Sequence, residues 1–172
     1  GELIIDGLMS PVALQVDSRQ ATDLWYGIRL AEDGVLDMQG ASVRSAGFGV
    51  QGTVTTAGSA RVIDSQFSRL VNGLSLTLFD DALVTGSAFA SISGPAIAAG
   101  GSATLRLRNT TIEGGGQEGI LMSNASLEAI HATVTDNGQL DASDPRSGIF
   151  AEGGAGQRLD VWDSAIESNR AH

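Results

Sequence analysis

Cysteine is absent from all 172 residues, so no disulfide and no thiolate metal site can contribute to stability. Lysine is absent as well: the ten basic residues are all arginine, against twenty acidic ones, for a formal net charge of −10. A nucleic-acid surface needs a basic stripe, and the lack of one excludes that partner class. An anionic membrane surface is disfavoured on the same ground, and a polyanionic polysaccharide would need a local arginine cluster to overcome the mean field. Proline is scarce (3 residues) and aromatics make up 5%, so a core must be built from Val, Ile, Leu and Ala. No apolar run approaches the roughly 18 residues of a membrane span, so membrane insertion is not expected. The opening GELIIDGLMSPVAL lacks the basic n-region of a secretory signal. No segment sustains a 3.6-residue apolar period, which makes helix a poor description anywhere.

What the chain has in abundance is glycine (23 residues), with 42% hydrophobic and only 17% charged residues. That balance excludes a disordered tail and suits many tight bends between short strands. One pattern recurs six times: apolar-x-apolar, then a further apolar position five residues on. The copies are Leu36-x-Met38 with Val43, Ala60-x-Val62 with Phe67, and Ala82-x-Val84 with Phe89. They continue as Leu105-x-Leu107 with Ile112, Leu127-x-Ala129 with Val134, and Leu159-x-Val161 with Ile166. From one middle residue to the next (38, 62, 84, 107, 129, 161) the steps are 24, 22, 23, 22 and 32. A repeat near 22–23 residues with one enlarged step predicts stacked structural units with an insertion in the last. Between the copies a second short element recurs, as GIRL at 27–30, GLSL at 73–76 and EGILM at 118–122. Longer connections are expected near 12–25 and near 137–146, the second accounting for the enlarged step.

Stacking the copies turns each repeat position into a column, and strand alternation decides which columns face outward. One outward column reads Asp37, Arg61, Leu83, Arg106, Glu128, Asp160. Its opposite charges on neighbouring copies form an ordinary surface ladder, while Glu128 beside Asp160 is a like-charge pair that could recruit a cation. The next reads Gln39, Ile63, Thr85, Arg108, Ile130, Trp162, and the second element adds Leu121 and Phe150 at its own outward places. Outward Ile63, Ile130, Trp162, Leu121 and Phe150 need a cover: a sugar ring, another protein surface or a neighbouring segment of the same polypeptide. A turn column, Gly40, Asp64, Gly86, Asn109, His131, Asp163, suits short polar side chains that bond local backbone. His131 therefore reads as a turn residue rather than a catalytic base.

Repeats of this size, with the apolar columns and the turns DSQF (64–67), NTTI (109–112), HATV (131–134) and DSAI (163–166), resemble the right-handed parallel β-helix. They are similar to the repeat of pectate-lyase-like proteins. LWYGIRLAEDGVLDM and EGILMSNASLEAI are also similar to stretches of bacterial autotransporter passengers. The resemblance implies an all-β solenoid of about six to seven coils, one domain over residues 1–172. An all-β sandwich or barrel also has short strands at regular spacing, but it does not keep one five-residue offset through six copies. The chain starts inside a strand-like run and stops at SNRAH, so it reads as a piece of a longer secreted or cell-surface bacterial protein.

For activity, the resemblance points to polysaccharide cleavage. Lyases of the family need cation-holding carboxylates with a basic residue, and hydrolases need paired aspartates. The only adjacent pair is Asp80-Asp81 in LFDDAL, and the NTD, histidine-glycine and arginine-x-lysine segments that accompany the family's double aspartate are missing. Asp80, Asp81, Glu128 and Asp160 are the acidic candidates, with a plain acidic turn as the simpler account of the first two. No catalytic residue, cofactor or metal site is assigned. The expected function is a non-enzymatic structural or adhesive segment, with a polysaccharide-binding or polysaccharide-degrading β-helix as the alternative.

Overall fold

The computed structural model describes residues 2–5, 8–9, 15–16, 27–30, 35–53, 59–77, 80–138 and 147–170. Among these residues there is no helix; the chain forms three parallel sheets of seven strands each. Sheet one contains Glu2–Ile5, Gly27–Leu30, Phe48–Thr53, Asn72–Thr77, Ile97–Gly100, Ile120–Ser123 and Ile149–Glu152. Sheet two contains Leu8–Met9, Val35–Gln39, Ser59–Ile63, Asp81–Thr85, Thr104–Arg108, Ser126–Ile130 and Leu159–Trp162. Sheet three contains Gln15–Val16, Ser42–Arg44, Gln66–Leu70, Ala88–Ile92, Thr111–Glu113, Thr133–Thr135 and Ala165–Glu167. Each strand inside a sheet pairs in parallel with the strand one coil before it and one coil after it, so the chain is a parallel β-helix.

The repeat pattern produces this because parallel pairing aligns identical repeat positions. Ala60, Ala82, Leu105, Leu127 and Leu159 are in register, as are Val62, Val84, Leu107, Ala129 and Val161. Across the coil, Val43, Phe67, Phe89, Ile112, Val134 and Ile166 form the third inward column. Sheet one closes the core with Ile28, Val50, Leu74, Ile97, Ile120 and Ile149. Burial alternates accordingly: in Thr104–Arg108 only Leu105 and Leu107 are buried. Stacking at the strand spacing of about 4.8 Å leaves like side chains in direct contact. Phe67 and Phe89 show it plainly, with centroids 4.7 Å apart and planes 3° from parallel.

Two turns per coil are set by residues in the left-handed region. Between sheets two and three, Gly40, Asp64, Gly86, Asn109, His131 and Asp163 have φ from 47° to 62°. Gly, Asn and Asp tolerate this conformation best, and that is why the column reads as it does. The backbone N–H of each of the first five donates to the next coil, as from Asp64 to Thr85 and from His131 to Trp162. A second left-handed column, Ser45, Arg69, Ser91, Gly114, Asp136 and Ser168, closes sheet three and leaves no comparable mark in the sequence.

Next to each turn runs a polar ladder inside the coil. Ser65 Oγ accepts from Ala41 N at 3.2 Å and donates to the Ile63 carbonyl at 2.8 Å. Ser87 repeats this with Ser65 N and Thr85 O, and Ser164 with Ala132 N and Trp162 O. At the second turn buried Asn137 accepts from Gly115 N at 3.1 Å, and its own N–H and Nδ2 donate to Asn169 Oδ1. Gly73 marks a different constraint: a Cβ there would run into the carbonyl oxygen of Ala96 on the next coil.

The enlarged step divides between two places. Relative to the coil before, seven of the ten extra residues fall between Thr135 and Ile149, and three fall between Glu152 and Leu159. The assignment of the whole step to the 137–146 loop is thus corrected, because the six residues Gly153–Arg158 stand where the coil before has the three residues Asn124–Ser126. Residues 139–146 of that loop lie outside the described residues. So does most of the connection expected at 12–25, within which Gln15–Val16 pairs with Ser42–Val43.

Two outcomes test this packing. Phe67→Ala is expected to cost about 3–5 kcal/mol in denaturant unfolding, through lost burial and the cavity left against Phe89. Asn137→Ala is expected to cost about 1–3 kcal/mol by the same measurement, because the buried Gly115 N–H loses its acceptor.

Candidate functional site

Ile63, Ile130 and Trp162 do share one outward column of sheet two, but the register separates them. The order is Ile63, Thr85, Arg108, Ile130, Trp162, so Ile63 lies three strand spacings, about 14 Å, from Ile130. Only Ile130 and Trp162 are neighbours. Leu121 and Phe150 are also neighbours, but on sheet one, a different face of the coil. The expected stripe is therefore two apolar pairs on two faces, both at the C-terminal end of the stack.

Three of the four acidic candidates are held by arginines. Asp81 opens a strand of sheet two and pairs with Arg106 on the next coil. Arg106 Nε also reaches Glu128 at 3.4 Å, and Arg108 meets the other Glu128 oxygen at 3.4 Å. Asp160 pairs with Arg158, and Asp37 with Arg61 at 3.3 Å. Glu128 and Asp160 are in register on adjacent coils, as the sequence implies, yet each has its own guanidinium partner. Asp80 is exposed in the preceding bend, where its carbonyl accepts from Thr104 N. Among the described residues no three His, Cys, Asp or Glu side chains are arranged to hold a metal ion. His131 sits in its left-handed turn with Nε2 3.8 Å from an Asp163 carboxylate oxygen on the next coil.

The chemistry of this face follows from the strand spacing. In one outward column opposite charges meet at Asp37–Arg61 and Arg106–Glu128, while the like charges Glu128 and Asp160, one rung apart, are each offset by an arginine. Their partly exposed pairs neutralise the surface locally, so the face presents a balanced mosaic despite the net charge of −10. Arginine clustering does occur, at Arg61, Arg106, Arg108 and Arg158, but every member pairs with a carboxylate.

Two clefts flank the Gly153–Arg158 loop, which the sequence reading did not single out. One, of about 300 Å³, is lined by Ser102, Asn124, Ser126, Gly154, Gly156 and Gln157. Several of its polar groups tie the loop to the coil before: Gly154 N donates to Asn124 Oδ1 and Arg158 N to Ser126 Oγ, while Gln157 Nε2 donates to Glu152 O. The other, of about 210 Å³, is lined mainly by Met122, Ala125, Leu127, Ala151 and Leu159. The run GGAGQ at 153–157 was the available signal, since a glycine-rich run breaks the two-residue turn used one coil earlier.

A family model described as a right-handed beta helix region matches residues 15–171. No curated protein and no solved structure matches the chain.

Because the ladder is solvent-exposed at both partners, Arg106→Gln is expected to lower unfolding stability by less than about 1 kcal/mol, measured by thermal denaturation at two salt concentrations.

Proposed function

The chain belongs to the right-handed β-helix family, and from that premise we propose that it serves as a structural or adhesive rod segment rather than an enzyme. Its setting in this reading is a secreted or cell-surface bacterial protein. The observation that carries the reading is the arginine–carboxylate ladder on sheet two. Asp81, Glu128 and Asp160 each face a guanidinium from their own or an adjacent coil. A lyase needs carboxylates free to gather a cation, and a hydrolase needs an acid and a base flanking open space for the bond to be cut. Carboxylates that saturate arginines across the outward face of sheet two serve cohesion between coils instead. Absence of cysteine accords with a rod stabilised by stacking, whose faces remain open for contact.

A second reading, glycan binding, draws on one specific observation. Trp162 is 47% exposed and lies beside Ile130, with Arg108 next in the column. An indole face flanked by an aliphatic side chain and a guanidinium fits the apolar side of a sugar ring and its hydroxyls.

On the structural reading, the purified chain is expected to release no products from uronate or neutral polysaccharides. Product release that Asp81→Asn abolishes would replace that reading with an enzymatic one. For the glycan reading, the expected outcome is a ligand-induced shift in tryptophan emission that Trp162→Phe removes. A glycan panel giving no shift leaves the column without that role.

A further inference from the structure

Asn-Gly, the pair most prone to closing a ring on itself, occurs twice in the chain, at Asn72–Gly73 and Asn137–Gly138. Glycine has no side chain to keep its backbone nitrogen away from the carboxamide of the residue before it. The fold nevertheless demands both residues of the second pair. Gly138 stands at φ 81°, in the left-handed region that glycine adopts freely. Asn137 is fully buried, and glycines of the preceding coil make room for its carboxamide. A Cβ on Gly115 would lie 2.5 Å from Asn137 Oδ1, and one on Gly119 would lie 3.0 Å from Nδ2.

Every atom that ring closure would use is engaged. Gly138 N donates to the Gln117 carbonyl of the preceding coil at 2.9 Å, so the attacking nitrogen is turned to another acceptor. Asn137 Oδ1 accepts from Gly115 N, and Nδ2 donates to the Thr135 carbonyl at 3.0 Å and to Asn169 Oδ1 at 2.9 Å. The Asn137 N–H donates to the same Asn169 oxygen, and Asn169 Nδ2 is anchored in turn on the Val134 carbonyl at 2.8 Å. The carboxamide is thus clasped by its own coil and by both neighbours. Asn72 has a lighter hold: it is only partly buried, with Gly73 N donating to the Pro95 carbonyl at 3.1 Å.

We propose that Asn137–Gly138 is a latent deamidation site, kept silent by the Asn169 clasp and released when the last two coils part. On release the Gly138 nitrogen gives up its proton to solvent and attacks Asn137 Cγ. The new N–Cγ bond closes a five-membered succinimide as the Cγ–Nδ2 bond breaks, and Nδ2 takes a proton from solvent and leaves as ammonia. One water then opens the ring, giving aspartate or, by cleavage at the other carbonyl, isoaspartate. Neither product fits the closed coil. A buried carboxylate here faces the Thr135 carbonyl and Asn169 Oδ1, acceptors that it has no proton to satisfy. Isoaspartate also adds a methylene to the backbone and disturbs the register on which stacking depends. A transient opening of the coil becomes a permanent mark, whichever role the rod serves.

The test follows the full chain at mildly alkaline pH, folded and in concentrated urea. Peptide mass spectrometry reads the gain from amide to acid at each Asn-Gly and separates aspartate from isoaspartate. Conversion at Asn137 is expected to be about 100-fold slower in the folded chain than in urea. Asn169→Ala is expected to speed it about 10-fold in the folded chain and to leave Asn72 unchanged, while slow amide exchange at Leu105 and Leu107 reports that the rod is intact. Asn137→Asp, which is one of the two products, is expected to lose exchange protection at Gly138 over the same intact core. Equal conversion of Asn137 in the folded and unfolded chains overturns the proposal, as does its failure to convert in urea. Equal acceleration at Asn72 and Asn137 in Asn169→Ala assigns release to loss of the whole rod and overturns the clasp. Full protection of Gly138 in Asn137→Asp overturns the permanent mark.

Discussion

Parallel stacking in register is the constraint on which the rest of the structure depends: every residue must tolerate its own counterpart about 4.8 Å away, above and below. An inward position has to be apolar in every coil, or polar with a partner in every coil. An outward charged position has to alternate in sign or accept repulsion. A turn position has to adopt the left-handed region each time. The Phe67–Phe89 stack, the Asp81–Arg106–Glu128 ladder and the φ values from Gly40 to Asp163 are three consequences of that single requirement. Stability is therefore spread along the rod as a sum of interfaces between neighbours, which suits a chain without disulfides.

Much of the fold was legible because the constraint writes itself into the sequence twice, as a 22-residue recurrence and as alternation within each strand. The columns through Leu105, Leu107 and Ile112, and the outward column through Arg106, could be aligned by counting alone, and the register agrees with them. The polar ladders were not legible. Ser65, Ser87 and Asn137 sit in turns, where serine and asparagine usually mark exposure, yet all three are buried. Their burial follows from the coil curling around them, which no local pattern reports. The left-handed column from Ser45 to Ser168 was hidden for a related reason: Arg69 and the three serines carry no glycine-like signature.

The candidate site was legible in its parts and not in its assembly. A sequence column lists residues without their separations, so Ile63, Ile130 and Trp162 read as one stripe although two polar rungs, Thr85 and Arg108, intervene. Leu121 and Phe150, placed on the second element by the sequence, are in register with each other on another face. Glu128 and Asp160 stand as close as counting implied; Arg106 shares their column, while Arg108 and Arg158 come from positions on either side that a single column does not show. Where opposite charges are this regularly interleaved, a run of acidic residues is better read as half of a lattice than as a reactive cluster.

The uniform spacing of partners also bears on how the molecule assembles itself. Almost every long-range contact joins residues one coil apart, 22 to 24 positions in most of the chain and 32 in the last step. Closing each successive coil onto the one before it therefore carries nearly the same entropic cost, and the longer final step adds only about 0.3 kcal/mol by the logarithmic dependence on loop length. A slow first pairing followed by repeated, nearly equal additions describes growth on a template rather than a search for distant contacts. The insertion that disturbs the repeat most in sequence is thus almost silent in the kinetics of winding the rod.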